Sequence, residues 1–202
     1  MEPTAFPISR KGDSLKRALF LCEDNYRASR FAEELFNSLI RGEGLNWQAV
    51  SRAVSPTAAR RQSEPMAPEA VACLRSFGAA PVNHRRLPLG ATAFDLEMSH
   101  VVIAATGPAC RAAVLEAWPE HARRIEHWPV DEAAPVQDLL EDLAVSVHAM
   151  LDRMLGRRPG PRSSRPGASA KLGLRPLRGN ELSHVLSRES AARLSTEPSR
   201  PG

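Results

Sequence analysis

Cys22 stands where an apolar run gives way to a polar stretch, and Asn25 and Ser29 follow it. Residues 17–21 have the composition of a buried strand, and residues 28–41 repeat apolar side chains at helical spacing. A loop between a strand and a helix presents free backbone N–H groups and the positive end of the helix macrodipole, which favour anions. A cysteine in such a loop has a lowered pKa and can be a nucleophile. The pattern therefore predicts a thiol at the mouth of an anion-binding loop.

The elements that would hold this loop alternate along residues 14–155. Apolar runs predict strands at 17–21, 48–51, 100–105 and 124–127, and helical spacing predicts helices at 28–41, 67–77, 109–117 and 136–155. Alternation of this kind is typical of α/β proteins. We therefore expect a single doubly wound, mostly four-stranded parallel sheet with helices on both faces, in the Rossmann-like manner. This domain should span residues 15–156, after an irregular arm at 1–14.

The basic character of the chain belongs to its last part. The formal charge is +4 overall, and residues 156–202 hold nine Arg, one Lys and three Glu, which gives +7 there and −3 for residues 1–155. Because Gly, Pro, Arg and Ser dominate residues 156–167, we expect the tail at 157–202 to be mostly disordered, with a weak amphipathic helix at 180–197. The tail has no aromatic residue for stacking on bases. A solubilising or protein-binding role is favoured over nucleic-acid binding, and folding over the acidic domain stays open.

Cysteine and histidine usage excludes several other classes of protein. The three cysteines (Cys22, Cys73 and Cys110) are widely separated without a C-x-x-C pair, which fits neither a disulfide framework nor a zinc site. The six histidines show no ligand spacing, so no metal and no cofactor is predicted. No apolar run approaches the roughly 18 residues of a membrane span, and no signal-peptide pattern is present. We expect a cytoplasmic protein without a membrane partner.

The cysteine loop and the helix after it resemble the phosphate loop of the low-molecular-weight protein tyrosine phosphatases, whose pattern is C-x5-R-S. Aligned without gaps, Cys22 matches the nucleophile, Asn25 the asparagine that shapes the loop, Tyr26 a rim tyrosine and Ser29 the serine that hydrogen-bonds the thiolate. Weaker likeness at residues 51–53, 86–95, 100–104 and 128–131 extends the resemblance over about residues 15–155. It implies a phosphate or phosphotyrosine-like anion as ligand, and hydrolysis through a cysteinyl-phosphate with Asp131 as general acid.

Three departures from the family pattern weaken that expectation. Ala28 stands at the arginine position, Glu23 and Asp24 replace small residues, and Glu132 follows Asp131 where proline is usual. Loss of a bidentate arginine removes about 3–6 kcal/mol of transition-state stabilisation, on the order of 10²–10⁴ in rate.

Two carboxylates beside the cradle act in the same direction as the missing arginine. Glu23 and Asp24 should repel a phosphate dianion and raise the pKa of the Cys22 thiol. Phosphatase activity is therefore expected to be weakened or lost, although the fold and an anion-shaped loop persist.

The sequence leaves several alternatives open. Arg27 lies one residue early, rotated by about 100° on a helix, but a flexible side chain could fold back and give an active, slow phosphatase. The chain could also be a pseudo-enzyme that holds an anion or a protein partner without turnover. Thiol reduction of the arsenate-reductase type is disfavoured because Cys73 and Cys110 do not form a close pair. Asp131 could be a solvated acid before a helix.

The predicted site residues follow from this alignment. They lie in the cysteine loop and at the start of the helix after it, except for Asp131, which precedes the last helix. The predicted catalytic residues are Cys22, Asp131 and Arg27, and the predicted phosphate-binding residues are Cys22, Asn25, Tyr26, Arg27, Ala28 and Ser29.

Overall fold

The structure is a computed structural model that describes residues 14–157. This part of the chain contains four strands and six α-helices, with three of the helices in succession between the second and third strands. The strands are β1 (Lys16–Cys22), β2 (Trp47–Ala53), β3 (Val101–Ala104) and β4 (Ile125–His127). The helices are α1 (Ala28–Glu43), α2 (Pro56–Arg61), α3 (Pro68–Ser76), α4 (Ala93–Glu97), α5 (Pro108–Ala117) and α6 (Val136–Met154), with a 3-10 turn at Ala122–Arg124.

The four strands form one parallel sheet in the order β2-β1-β3-β4. Leu19 in the middle of β1 is in register with Val50 of β2 on one side and with Val102 of β3 on the other. The chain therefore passes from β1 to β2 in one direction and later returns to the opposite side of β1. In sheets of this kind a crevice opens beyond the carboxyl end of the strand where the direction reverses. That position is the end of β1, which is Cys22.

Both faces of the sheet are covered, which confirms the expected α/β architecture. Leu19 and Leu21 belong to a buried cluster with Val114 of α5. Phe20 points to the other face, where its ring lies 6.0 Å from that of Phe36 in α1. Because side chains alternate along a strand, burial of successive residues requires a helix layer on each side. This explains why β1 has the continuous apolar sequence from which it was predicted.

Two short helices were not predicted from the sequence, although both have recognisable starts. α2 begins after Ser55, whose Oγ accepts a hydrogen bond from Ala58 N at 3.1 Å. α4 begins after Thr92, which forms a reciprocal capping box with Asp95. Helices of five or six residues have less than two turns, which is too short for helical periodicity to be recognised. The capping residues are the only sequence pattern that could have predicted them.

Segment 89–91 extends the free edge of β2, since Gly90 forms an isolated parallel bridge with Ala53. A Cβ at Gly90 would lie 3.0 Å from Cβ of Pro56, so glycine permits this close approach. The bridge brings Leu89 beside the carboxyl ends of the strands, which is where the site forms.

The predictions for the N-terminal arm before residue 14, for the tail beyond residue 157 and for a helix at 180–197 lie outside the described residues. Within residues 14–157, no helix combines the length and apolar character needed to cross a bilayer. In the same range, no group of His, Cys, Asp and Glu side chains is arranged to hold a metal ion.

Candidate active-site loop

The loop that follows β1 makes a tight turn between Cys22 and the start of α1 at Ala28. Asn25 has a φ of 57° and is the one non-glycine residue with positive φ among residues 14–157. Asparagine tolerates this left-handed conformation better than most residues do. The turn aims the backbone N–H of Asn25 at Cys22 Sγ, 3.2 Å away. The thiol therefore lies inside the loop, as the sequence pattern predicts for an anion cradle.

The side chain of Asn25 fixes the shape of the loop. Its Nδ2 donates to Ser29 Oγ at 3.0 Å and to Ser51 Oγ at 2.8 Å. Its Oδ1 accepts from Leu89 N at 3.1 Å and from Arg86 Nη1 at 3.3 Å. Both donors and both acceptor positions of the amide are used, as complete burial of Asn25 requires.

Glu33 anchors this arrangement from α1. Its Oε2 accepts from Ser51 Oγ at 2.5 Å and from Arg86 Nη2 at 3.0 Å. The guanidinium of Arg30, which is completely buried, lies 3.9 Å from the same oxygen and donates to the carbonyl of Asn83 at 2.6 Å. Burial lowers the pKa of Arg30 to about 10. We call the five interlocked residues Asn25, Ser29, Glu33, Ser51 and Arg86 the support network.

Cys22 is 3% exposed and is both a hydrogen-bond acceptor and a donor. Because Ser29 Oγ already accepts from Asn25, its own O–H is free to donate to Cys22 Sγ at 2.9 Å. The thiol in turn donates to Asp24 Oδ1 at 3.7 Å. A carboxylate as the acceptor of the S–H favours the protonated thiol.

Burial raises the pKa of the Cys22 thiol to about 11, and the charge of Asp24 adds to that increase. Hydrogen bonds from Ser29 and Asn25 oppose it without reversing it. The sequence predicts a raised pKa from neighbouring charge, whereas the larger cause in the structure is burial. Of the two neighbouring carboxylates, Glu23 is exposed and Asp24 turns toward the sulfur.

Tyr26 and Arg27 form the rim of the loop. The Tyr26 hydroxyl donates to Glu64 Oε2 at 3.1 Å, and the pKa of Tyr26 is raised by desolvation and by this carboxylate. The guanidinium of Arg27 is turned toward Glu69, with Nη2 3.8 Å from Oε1, and its side chain is 37% exposed. Ala28, the first residue of α1, is buried and contributes no hydrogen-bonding side chain.

Asp131 lies in the exposed turn that precedes α6, where its Oδ1 accepts from Ala133 N at 2.9 Å. Close packing holds the preceding residue in place, because a Cβ at Gly107 would lie 3.2 Å from the carbonyl oxygen of Val130. The turn thus lies against the residues that follow β3. General-acid function of Asp131 stays a prediction.

Sequence reasoning left Glu33, Ser51 and Arg86 out of the predicted site, although they hold the loop asparagine and serine in place. Ser51 and Arg86 belong to short stretches that resemble the family, and that resemblance was their signal. Glu33 lies in the helix that continues the family pattern after the loop, but a glutamate within an amphipathic helix is usually a solvated residue. Only the fold shows that it faces Ser51.

Solved structures similar to this chain include several described as low-molecular-weight protein tyrosine phosphatases. One from T. tengcongensis is 22% identical, with 70% of this chain and 98% of that chain covered and a TM-score of 0.55. Another, from Vibrio cholerae, is 19% identical, with 68% and 95% covered and a TM-score of 0.57. Wzb from Vibrio vulnificus, in complex with benzylphosphonate, is 12% identical, with 69% and 99% covered and a TM-score of 0.58.

Sequence comparison adds nothing to these structural matches, because no family model and no curated protein matches the chain. The structural neighbours establish the architecture: this chain has the fold of the low-molecular-weight protein tyrosine phosphatases.

Proposed function

We propose that this chain is a phosphatase-fold protein whose hydrolysis of phosphate monoesters is weakened to the point of loss, so that it acts as a binding protein. The observation that carries the proposal is the environment of Cys22, whose thiol donates to Asp24 in a loop that has alanine at position 28. The ligand class that the fold suggests is a phosphate-like anion, as in the Wzb complex with benzylphosphonate. A protein partner bound through the basic tail is a further part of this proposal, as is a cytoplasmic location.

Attack by the nucleophile is the first step that this environment impairs. Hydrolysis through a cysteinyl-phosphate needs a thiolate to attack phosphorus. With a pKa of about 11, Cys22 would be ionised in a fraction on the order of 10⁻⁴ at neutral pH. The hydrogen bonds from Ser29 and Asn25 would stabilise a thiolate once formed, but they do not offset burial and the Asp24 charge.

Charge stabilisation of the transferring phosphoryl group is the second impaired step. Arginine forks two charge-assisted hydrogen bonds onto an oxyanion, which alanine at position 28 cannot do. Arg27 could replace it only by leaving Glu69. An exposed ion pair of this kind contributes about 0–1 kcal/mol, so electrostatics alone does not prevent that movement. A slow enzyme that uses Arg27 is therefore the competing outcome of the test.

The decisive experiment measures hydrolysis of a small aryl phosphate by the full chain. Wild type is compared with Cys22→Ser, with Arg27→Ala and with the double variant Arg27→Tyr/Ala28→Arg. We expect wild type and both single variants to show the same background rate. The double variant should gain a small rate, limited by the low thiolate fraction of Cys22, that disappears when Cys22→Ser is added. Circular dichroism of each variant provides the folding control.

Turnover by wild type that Cys22→Ser abolishes would contradict the proposal. If Arg27→Ala also abolished that turnover, Arg27 would be the replacement arginine and the chain would be a working phosphatase.

A further inference from the structure

Three polar groups converge on the carboxylate of Asp24. Its Oδ1 accepts from the backbone N–H of Tyr26 at 3.0 Å and from Cys22 Sγ at 3.7 Å. Its Oδ2 accepts from Gln62 Nε2 at 3.0 Å, which ties the loop to the residue that ends α2. Both carboxylate oxygens are therefore hydrogen-bonded. Oδ1 is bonded within the loop, to the Tyr26 N–H and the thiol, and Oδ2 is bonded to the end of α2.

One of these donors, the Tyr26 N–H, is of the kind that an anion bound in such a loop would use, and another, Cys22, is the side chain such an anion would lie against. Loops at helix N-termini bind oxyanions through convergent backbone N–H groups. We infer that Asp24 is a built-in occupant of the cradle: its carboxylate takes the Tyr26 N–H and the Cys22 S–H in place of an external oxyanion. This inference rests on the proposed function and gives a reason for it that is separate from the alanine at position 28.

A tethered carboxylate has two advantages over a free anion. It is present at a high effective concentration, on the order of millimolar or more for a short connection. Its charge also repels an approaching phosphate dianion over the few ångströms that separate them. An external anion would have to displace Asp24 from Tyr26 and Gln62 before it could bind.

Glu23 provides a matched control, because it carries the same charge one residue away. Its side chain is exposed, and its backbone carbonyl accepts from Ser55 N at 3.1 Å. Glu23→Gln removes one negative charge from the rim without vacating the Tyr26 N–H. Asp24→Gly removes the carboxylate, whereas Asp24→Asn removes its charge but keeps a side-chain oxygen for that N–H.

The test follows alkylation of Cys22 by iodoacetamide as a function of pH, resolved from Cys73 and Cys110 by peptide mass spectrometry. Each variant is assayed with and without millimolar inorganic phosphate. For Asp24→Gly we expect the alkylation midpoint to move to lower pH, and phosphate to protect the thiol at about tenfold lower concentration than in wild type. Asp24→Asn should share part of the pH shift but gain less protection. Glu23→Gln should match wild type in both.

Two results would overturn the inference. Equal behaviour of Asp24→Gly and Glu23→Gln would show that Asp24 is only one of the surrounding charges. Equal phosphate protection in Asp24→Asn and Asp24→Gly would show that charge, rather than occupancy of the Tyr26 N–H, governs access. Neither the alkylation midpoint nor the phosphate protection depends on turnover. Failure of this inference can therefore be distinguished from failure of the proposed function, which would be contradicted by hydrolysis of an aryl phosphate.

Discussion

The inner side of the loop, formed by the support network, and its outer side, formed by Cys22, Asp24 and Ala28, differ in how their polar groups are partnered. On the inner side, every polar atom of the Asn25 side chain has a hydrogen-bond partner, and the support network is closed by the buried carboxylate of Glu33. On the outer side, Cys22 donates to a carboxylate, and the residue at position 28 has no polar side chain. One side is a closed set of hydrogen bonds, and the other places a carboxylate beside the thiol and no cationic side chain at position 28.

The difference teaches that the shape of the loop and its chemistry are under separate physical constraints. Removing one member of a buried polar network leaves its partners without hydrogen bonds, which costs about 1–3 kcal/mol for each group. The support network therefore stabilises the fold whether or not the protein turns over a substrate. Ala28 and Asp24 cost the fold little, because one is a small residue that starts a helix and the other is fully hydrogen-bonded.

The largest effect should come from the buried carboxylate of the inner side. Glu33→Ala leaves Arg86 and the fully buried Arg30 without their shared anionic neighbour, and we expect a loss of about 3–5 kcal/mol in the free energy of unfolding. Urea denaturation measures it. Glu43→Ala, in the same helix, is the control, since it breaks the surface pair with Arg157 and should cost less than about 1 kcal/mol. Similar losses of unfolding free energy in Glu33→Ala and Glu43→Ala would show that the support network contributes no more to stability than a surface ion pair.

A smaller but still large effect is expected at the turn itself. Asn25→Ala removes four hydrogen bonds and places alanine at a φ of 57°, which together should cost about 2–4 kcal/mol of stability. Asn25→Gly loses the same hydrogen bonds without the backbone strain and should recover about 1 kcal/mol. Thermal and urea unfolding of the pair separate the two contributions. Identical stabilities would mean that the left-handed conformation is not retained in the variants.

The smallest of the three effects concerns the outer side and depends on pH. The pKa of Cys22 is about 11 in the folded chain against 9.0 for an unperturbed thiol. As the pH rises from about 9 to about 11, the unfolded state releases this proton before the folded state does, so stability falls. The contribution is roughly 1–3 kcal/mol. The free energy of unfolding of Cys22→Ala should therefore fall less steeply over this pH range than that of wild type. Cys73 and Cys110 are present in both proteins and do not affect the comparison. Parallel pH profiles would show that the thiol is not held in its neutral form.

Much of the fold was predictable because each main element has a strong local pattern. The apolar run of β1 and the helical spacing in α1 and α6 predicted these elements to within about two residues of their observed ends. The short helices α2 and α4 were missed because five or six residues give too little periodicity. Cys22, Asn25 and Ser29 were predicted to be site residues because their order along the chain resembles the family pattern, and the structure brings the three side chains together.

The remaining properties of the site depend on groups that are distant in sequence. Arg86 lies 61 residues from Asn25, and Gln62 lies 38 residues from Asp24, so no local pattern connects them. The raised pKa of Cys22 was expected from two neighbouring carboxylates, yet only one of them approaches the sulfur and burial has the larger effect. Burial is a property of the packed molecule and cannot be counted along the chain.

The sequence by itself determined the order of the strands and of the longer helices, the position of the thiol at the end of β1 and the absence of arginine at position 28, because these depend on residue type and local spacing. The tertiary structure decided which carboxylate reaches Cys22, which residues hold Asn25 in its left-handed turn and where Arg27 points. These outcomes arise from contacts of the loop and α1 with β2, with the end of α2, with α3 and with residues 81–91. Only folding brings these segments together.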